Sequence, residues 1–197
     1  MSNDGVNEGR RRVLTALTSV VGAAGVVGAA VPFVNSWNPS AKARAAGAPV
    51  EFNVSKIEPG ARVTVEWRGK PVYIVRRTKE ALESLNTVEA RLRDPASEKS
   101  VQPDYAKNPT RSVKEEFLVM LAICTHLGCA PEYRPEVGDQ SVGDSNWLGG
   151  FFCKCHGSKF DLAGRVFAGV PAPTNLEIPP YTFLSDDVIL IGEDQEA

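Results

Sequence analysis

The sequence predicts an all-β head of short antiparallel strands carried behind a single N-terminal transmembrane helix. Three observations predict it: an uncharged run from Val13 to Val34, a succession of short strand-like segments after Pro49, and two compact Cys/His motifs that fall in loops between strands.

The run Val13 to Val34, VLTALTSVVGAAGVVGAAVPFV, holds 22 residues without a charge. As a helix it would extend about 33 Å, against a hydrocarbon core of roughly 30 Å, so it can cross a bilayer once. Residues 1–12 before it carry Arg10, Arg11 and Arg12, which predicts a cytoplasmic N-terminus and places the chain beyond Val34 on the other side. Paired arginines ahead of an Ala/Gly/Thr-rich apolar run look like a twin-arginine export signal, a route for folded, cofactor-loaded proteins. A cleaved signal peptide is the alternative, since AKARAAGA offers a small-residue cleavage site; the retained anchor at 13–34 is the preferred reading. Gly22, Gly25 and Gly28 would allow a second helix to approach closely, or simply keep an export signal weakly hydrophobic.

Residues 35–49, NSWNPSAKARAAGAP, have no aliphatic periodicity and read as a flexible tether. The head, 50–197, opens with VEFNVS, RVTVEW and PVYIVRR as strands, the last two joined by a hairpin at RGK. TKEALESLN is expected to be a helix capped by Thr78. Residues 88–113 are polar and proline-interrupted and are expected to form a surface excursion. EFLVMLAIC reads as a buried strand that delivers the first Cys/His motif, and YTFLSDDVILIG as two strands about a Ser-Asp-Asp turn.

Composition excludes little, with 43% hydrophobic and 23% charged residues. The net charge of −2 hides an asymmetry: beyond residue 49 there remain 17 basic and 22 acidic residues. No basic patch with interleaved aromatics is present, which argues against a nucleic-acid partner. Four cysteines in 197 residues are too few for a disulfide framework of the small secreted kind.

Those cysteines form two tight pairs, and the chain's only two histidines lie among them. CTHLGC supplies Cys124, His126 and Cys129; after 23 intervening residues, CKCHGS supplies Cys153, Cys155 and His156. A structural zinc site would use Cys and His, and Cys124 and Cys129 do stand at a Cys-x4-Cys spacing, but the His-x3–5-His half of a zinc finger does not occur. Two disulfides would leave both histidines unexplained. A third arrangement uses all six: one Cys and one His from each motif bind a two-iron cluster, with two histidines in place of two cysteines on one iron, while the other cysteines join the loops.

CTHLGC and CKCHGS resemble the motifs of the Rieske iron–sulfur subunit of the cytochrome bc complex, the quinol–cytochrome c oxidoreductase. RRRVLTALT, AVPFVNSWNPSA, SKIEPG, WRGKPVYIVRRT, SVQPDYA and GVPAPTNLEIPPY extend the likeness to the proteobacterial form over nearly the whole chain. The resemblance implies a Rieske-type antiparallel β-sandwich with a small cluster-binding subdomain at about 120–176 and one [2Fe–2S] cluster. Cys124 and Cys153 would be the thiolate ligands of one iron, His126 and His156 the imidazole ligands of the other, and Cys129 and Cys155 a disulfide. Ser158 matches a serine that donates to a bridging sulfide, an interaction that raises the potential. Leu127 and Gly128 would form the tip of the quinol-site docking surface, with Pro171 and Pro173 in the loop over the cluster's other side. Two departures stand out: Phe160 replaces a tyrosine that donates to a ligand cysteine, which argues for a lower potential, and Lys154 stands where proline is commoner.

The implied function is electron transfer from quinol to a c-type cytochrome within a respiratory or photosynthetic, proton-translocating reductase. Cytochrome b and a cytochrome c-type subunit would be partners in a dimeric complex of the bacterial inner membrane, with the head in the periplasm. An imidazole bound to iron through one nitrogen exposes the other N–H, so electron and proton can be accepted together; His156, before His126, is read as the contact. A ring-oxygenase ferredoxin shares the ligands but normally lacks the extra cysteines and anchor. An arsenite oxidase small subunit shares the export signal, but the 88–113 segment and GVPAPTNL favour the quinol complex.

Overall fold

The computed structural model describes residue 5 and residues 7–193; the remaining residues of the 1–12 segment and the last four of the head lie outside the described residues. The chain divides into two units, 1–45 and 46–197.

In the first unit α1 runs from Glu8 to Asn35, 28 residues long enough and apolar enough to cross a membrane. It starts before the uncharged run because Asn7 caps it, its side chain accepting the Arg10 N–H at 3.0 Å, and because arginines are good helix formers. Thr15 and Thr18 donate their hydroxyls to the carbonyls of Arg11 and Leu14, each at 2.8 Å, so neither needs water. Within the 35–49 stretch read as a tether, Asn35 ends α1 and Ala41–Ala46 forms a short helix, α2. Alanine's helix propensity and the Ser40 hydroxyl, which accepts the Ala43 N–H at 3.1 Å, account for it.

The second unit is built mainly from antiparallel strands in three three-stranded sheets. β1 (Val50–Asn53) pairs with β9 (Val188–Ile191), which pairs with β8 (Tyr181–Phe183). β2 (Arg62–Trp67), β3 (Lys70–Arg76) and β4 (Phe117–Leu121) form the second sheet. β5 (Glu132–Arg134), β6 (Gly150–Cys153) and β7 (Ser158–Phe160) form the third. The β2–β3 turn places Arg68 and Gly69 both at positive φ, 52° and 70°, the primed geometry whose twist suits a hairpin.

β4 is buried along its whole length, as its unbroken apolar run requires. Val72, Ile74, Leu118, Met120, Tyr181, Ile189 and Ile191 join one core with Cys124, Cys153, Phe151 and Phe160, so both Cys/His loops are rooted in the same packed interior. α3 (Lys79–Val88) is capped by Thr78, which accepts the Ala81 N–H at 3.2 Å, and buries Leu85 and Val88.

The 88–113 segment is only in part the surface excursion its polarity suggests, since it is also anchored in the interior. Leu92, Asp94, Ser97, Ala106, Arg111 and Ser112 are buried. Polar side chains can be buried where they find partners: Arg111 donates from Nε to Gln102 Oε1 at 2.8 Å and from one terminal nitrogen to the carbonyls of Ala163 and Gly164.

Candidate functional site

The two motifs are closed by the same local device. Beyond β4 the Gly128 N–H donates to the Cys124 carbonyl at 2.9 Å; between β6 and β7 the Gly157 N–H donates to the Cys153 carbonyl at 2.9 Å. Both glycines sit at positive φ, 86° and 76°, where a side chain would be strained. The first loop is tightened further by Cys124 N–H donating to the Cys129 carbonyl at 2.8 Å. The second is held by the pairing of Cys153 with Ser158 at the ends of β6 and β7. Each sequence thus folds back on itself and presents its histidine outward from a buried cysteine.

Across the two loops the rings of His126 and His156 meet edge to face, 4.7 Å between centroids and perpendicular. His156 is exposed and His126 half-buried. Cys124 and Cys153 are buried free thiols, hydrogen-bonded to each other; burial foremost, then that contact, pushes the Cys153 thiol above its ordinary pKa. Cys129 and Cys155 are joined to each other. The Sγ atoms of Cys129, Cys153 and Cys155 lie within 4.8 Å of one another, but two of them are taken up by that bond, so this trio by itself offers one free sulfur. Two free sulfurs and two imidazoles are therefore what the loops could offer a metal centre. That donor set fits a two-iron cluster in which a pair of imidazoles replaces a pair of thiolates on one iron.

The loop 169–176 packs onto both motifs. Thr125, between Cys124 and His126, donates its hydroxyl to the Thr174 carbonyl at 2.7 Å. Ser158, fully buried, accepts the Ala172 N–H at 3.1 Å on its Oγ. Its own hydroxyl proton remains free to be donated elsewhere. Pro171 and Pro173 are exposed, as are Leu127, at 72%, and Gly128. Phe160 is completely buried against the core and offers no hydroxyl. Lys154 is exposed and pairs with Glu132 Oε1 on β5 at 2.7 Å; hydrogen bonds from Lys154 and then from Arg134 hold the Glu132 carboxyl below its usual range.

Sequence reasoning missed Thr125 and Glu132. Thr125 lies inside a motif whose other members drew attention by their chemistry, and nothing local marks a threonine whose partner is 49 residues away. Glu132 carries no spacing signal at all.

Two family profiles match the chain: "Ubiquitinol-cytochrome C reductase Fe-S subunit TAT signal" over residues 1–40, and "Rieske [2Fe-2S] domain" over residues 49–181. The ubiquinol–cytochrome c reductase iron–sulfur subunit of Allochromatium vinosum is 63% identical over 195 residues, 99% of this chain and 94% of that protein. The corresponding subunit of Blastochloris viridis is 45% identical, covering 97% of each chain, and that of Rhodospirillum rubrum 42%, covering 97% of this chain and 96% of that one. With an apolar N-terminal helix, a head of antiparallel strands and a two-sulfur, two-imidazole donor set on paired loops, the chain belongs to the Rieske [2Fe–2S] iron–sulfur subunits of ubiquinol–cytochrome c reductase, the electron-transfer subunit of the cytochrome bc complex.

Proposed function

We propose that Cys124 and Cys153 hold one iron of the cluster and His126 and His156 the other, and that His156 is the residue that meets quinol. The observation that carries this reading is the edge-to-face approach of the only two histidines across loops in which Cys124 and Cys153 are buried, free and in contact. When bound, the cluster accepts one electron at a time. The chain's own residues do the rest. His156, exposed and in ring contact with His126, can take a hydrogen bond and a proton at its outward ring nitrogen. Ser158 is held with its hydroxyl proton available to cluster sulfur, which favours the reduced state. The Cys129–Cys155 bond ties the two loops so that the four donors stay together.

In this reading Leu127, Gly128, Pro171 and Pro173 form the apolar face that docks at the quinol site on cytochrome b, and the electron leaves to a c-type cytochrome. The complex is dimeric. The anchor at 13–34 passes once through the bacterial inner membrane, the 1–12 segment stays cytoplasmic, 35–49 serves as tether, and the head at 50–197, with its cluster-binding part at 120–176, works in the periplasm. The export-signal match over residues 1–40 and the Arg10–Arg12 cluster before the uncharged run support that orientation. An oxidising compartment also suits the disulfide.

Low-temperature EPR on membranes carrying His156→Ala and Cys153→Ala tests the ligand set. Each is expected to abolish the Rieske signal, since no third histidine exists to substitute. A native signal from either variant would overturn the assignment.

A further inference from the structure

The loop over the cluster site is itself held by one buried amide. Asn175 is 1% exposed, and both polar atoms of its side chain are hydrogen-bonded. Its Oδ1 accepts the Val166 N–H at 2.8 Å, and its Nδ2 donates to the Asp94 carbonyl at 2.9 Å and to Ser97 Oγ at 2.8 Å. Its backbone N–H donates to Ser100 Oγ at 3.1 Å. Asn175 therefore joins the segment after β7, the 94–100 turn and the loop 169–176.

The partner turn is built to receive it. Asp94 accepts the N–H groups of Glu98 and Lys99 and the Ser100 hydroxyl on its two carboxylate oxygens. Ser97 is one of three described non-glycine residues at positive φ, 56°, a costly conformation for a residue with a Cβ. That conformation places its hydroxyl, buried, on Asn175. Further bonds tie the same two segments: Arg93 to the Val170 carbonyl at 2.8 Å and Ile178 N–H to the Val101 carbonyl at 3.1 Å.

On the other side of Asn175 the loop reaches the cluster motifs through two contacts only a few residues away, Thr174 with Thr125 and Ala172 with Ser158. We infer that Asn175 is a positioning residue: braced by the 94–100 turn, it fixes the loop 169–176 so that the Ala172 N–H orients the Ser158 hydroxyl toward the cluster. The inference rests on the ligand and donor reading given above. The 88–113 segment is then part of the redox centre's support, which gives a reason for burying so polar a stretch.

The test is an EPR-monitored redox titration of the full chain in membranes for wild type, Ser158→Ala, Asn175→Ala and the double variant. If Asn175 acts through Ser158, Asn175→Ala lowers the midpoint potential and broadens the signal, and the double variant titrates with Ser158→Ala, no lower. Wild-type potential and lineshape in Asn175→Ala would overturn the proposal, as would additive lowering in the double variant. Should Asn175→Ala fail to assemble a cluster, Ser97→Gly carries the test, because glycine relieves the positive φ while removing the hydroxyl. A smaller shift in the same direction supports the inference and none refutes it. An unshifted Ser158→Ala, or a wild type without a Rieske signal, would instead overturn the underlying donor and ligand reading.

Discussion

Ser158 Oγ accepts the Ala172 N–H at 3.1 Å, so a hydroxyl at the end of one Cys/His loop is held by the loop packed over it. Hydrogen bonds to cluster sulfur stabilise the more negative reduced state. Ser158→Ala is therefore expected to lower the midpoint potential. Phe160→Tyr, which adds a hydroxyl in the same sheet, is expected to raise it. Voltammetry of the three proteins checks both, and an inverted order would mean that these hydroxyls do not reach the sulfurs.

Gly128 and Gly157 close their loops from positive φ with open space where a Cβ would stand. The cost of alanine there is conformational rather than steric, about 1–2 kcal/mol each. Gly157→Ala is expected to lower the thermal midpoint of the head and the amount of cluster retained on purification, read from iron per chain. Full retention and an unchanged midpoint would show that the loop tolerates another backbone shape.

Cys155→Ser removes the one covalent link between the two loops. Some cluster is expected to assemble, because the four proposed ligands remain, but it should be lost faster on dilution or mild heating. Loss of a native disulfide costs about 2–5 kcal/mol. Decay of the visible absorbance at fixed temperature measures the effect; wild-type decay would mean that packing alone holds the loops.

Tyr181 is buried in the core, where desolvation pushes its phenol up to about 12 from the ordinary 10. Its oxygen accepts the Val113 N–H at 2.8 Å. Because the folded value lies above the unfolded one, the stabilisation is complete below about pH 10 and is lost as pH rises toward 12. At two pH units the change is on the order of 2–3 kcal/mol. The stability difference between wild type and Tyr181→Phe should be flat below about pH 10 and shift against the wild type above it. Arg111, lowered to about 10 by burial, is common to both proteins, whereas Arg77, likewise lowered to about 10 by burial, feels the Tyr181 charge, so the difference above pH 10 reports Tyr181 together with its effect on Arg77. Parallel denaturation curves at all pH values would refute the claim.

Much of this protein was legible in its sequence because the decisive signals are local. A membrane-length helix needs only an uncharged run, and α1 contains all of 13–34. The β2–β3 hairpin follows from strand alternation around RGK, and the Thr78 cap from the residue before KEALESLN. The metal-binding character of the loops follows from six soft or imidazole donors in two short stretches. What only tertiary structure decided involves partners far apart in the chain. Spacing alone does not say which cysteines pair; the Cys129–Cys155 bond spans 26 residues and depends on two loops meeting. Nor does composition tell a polar surface loop from a buried brace. Asn175 meets Ser97 and Asp94 across 78 and 81 residues, and Arg111 meets Gly164 across 53. A hydrogen bond between distant segments imposes no periodicity on either of them, so its partners become visible only when the chain has folded.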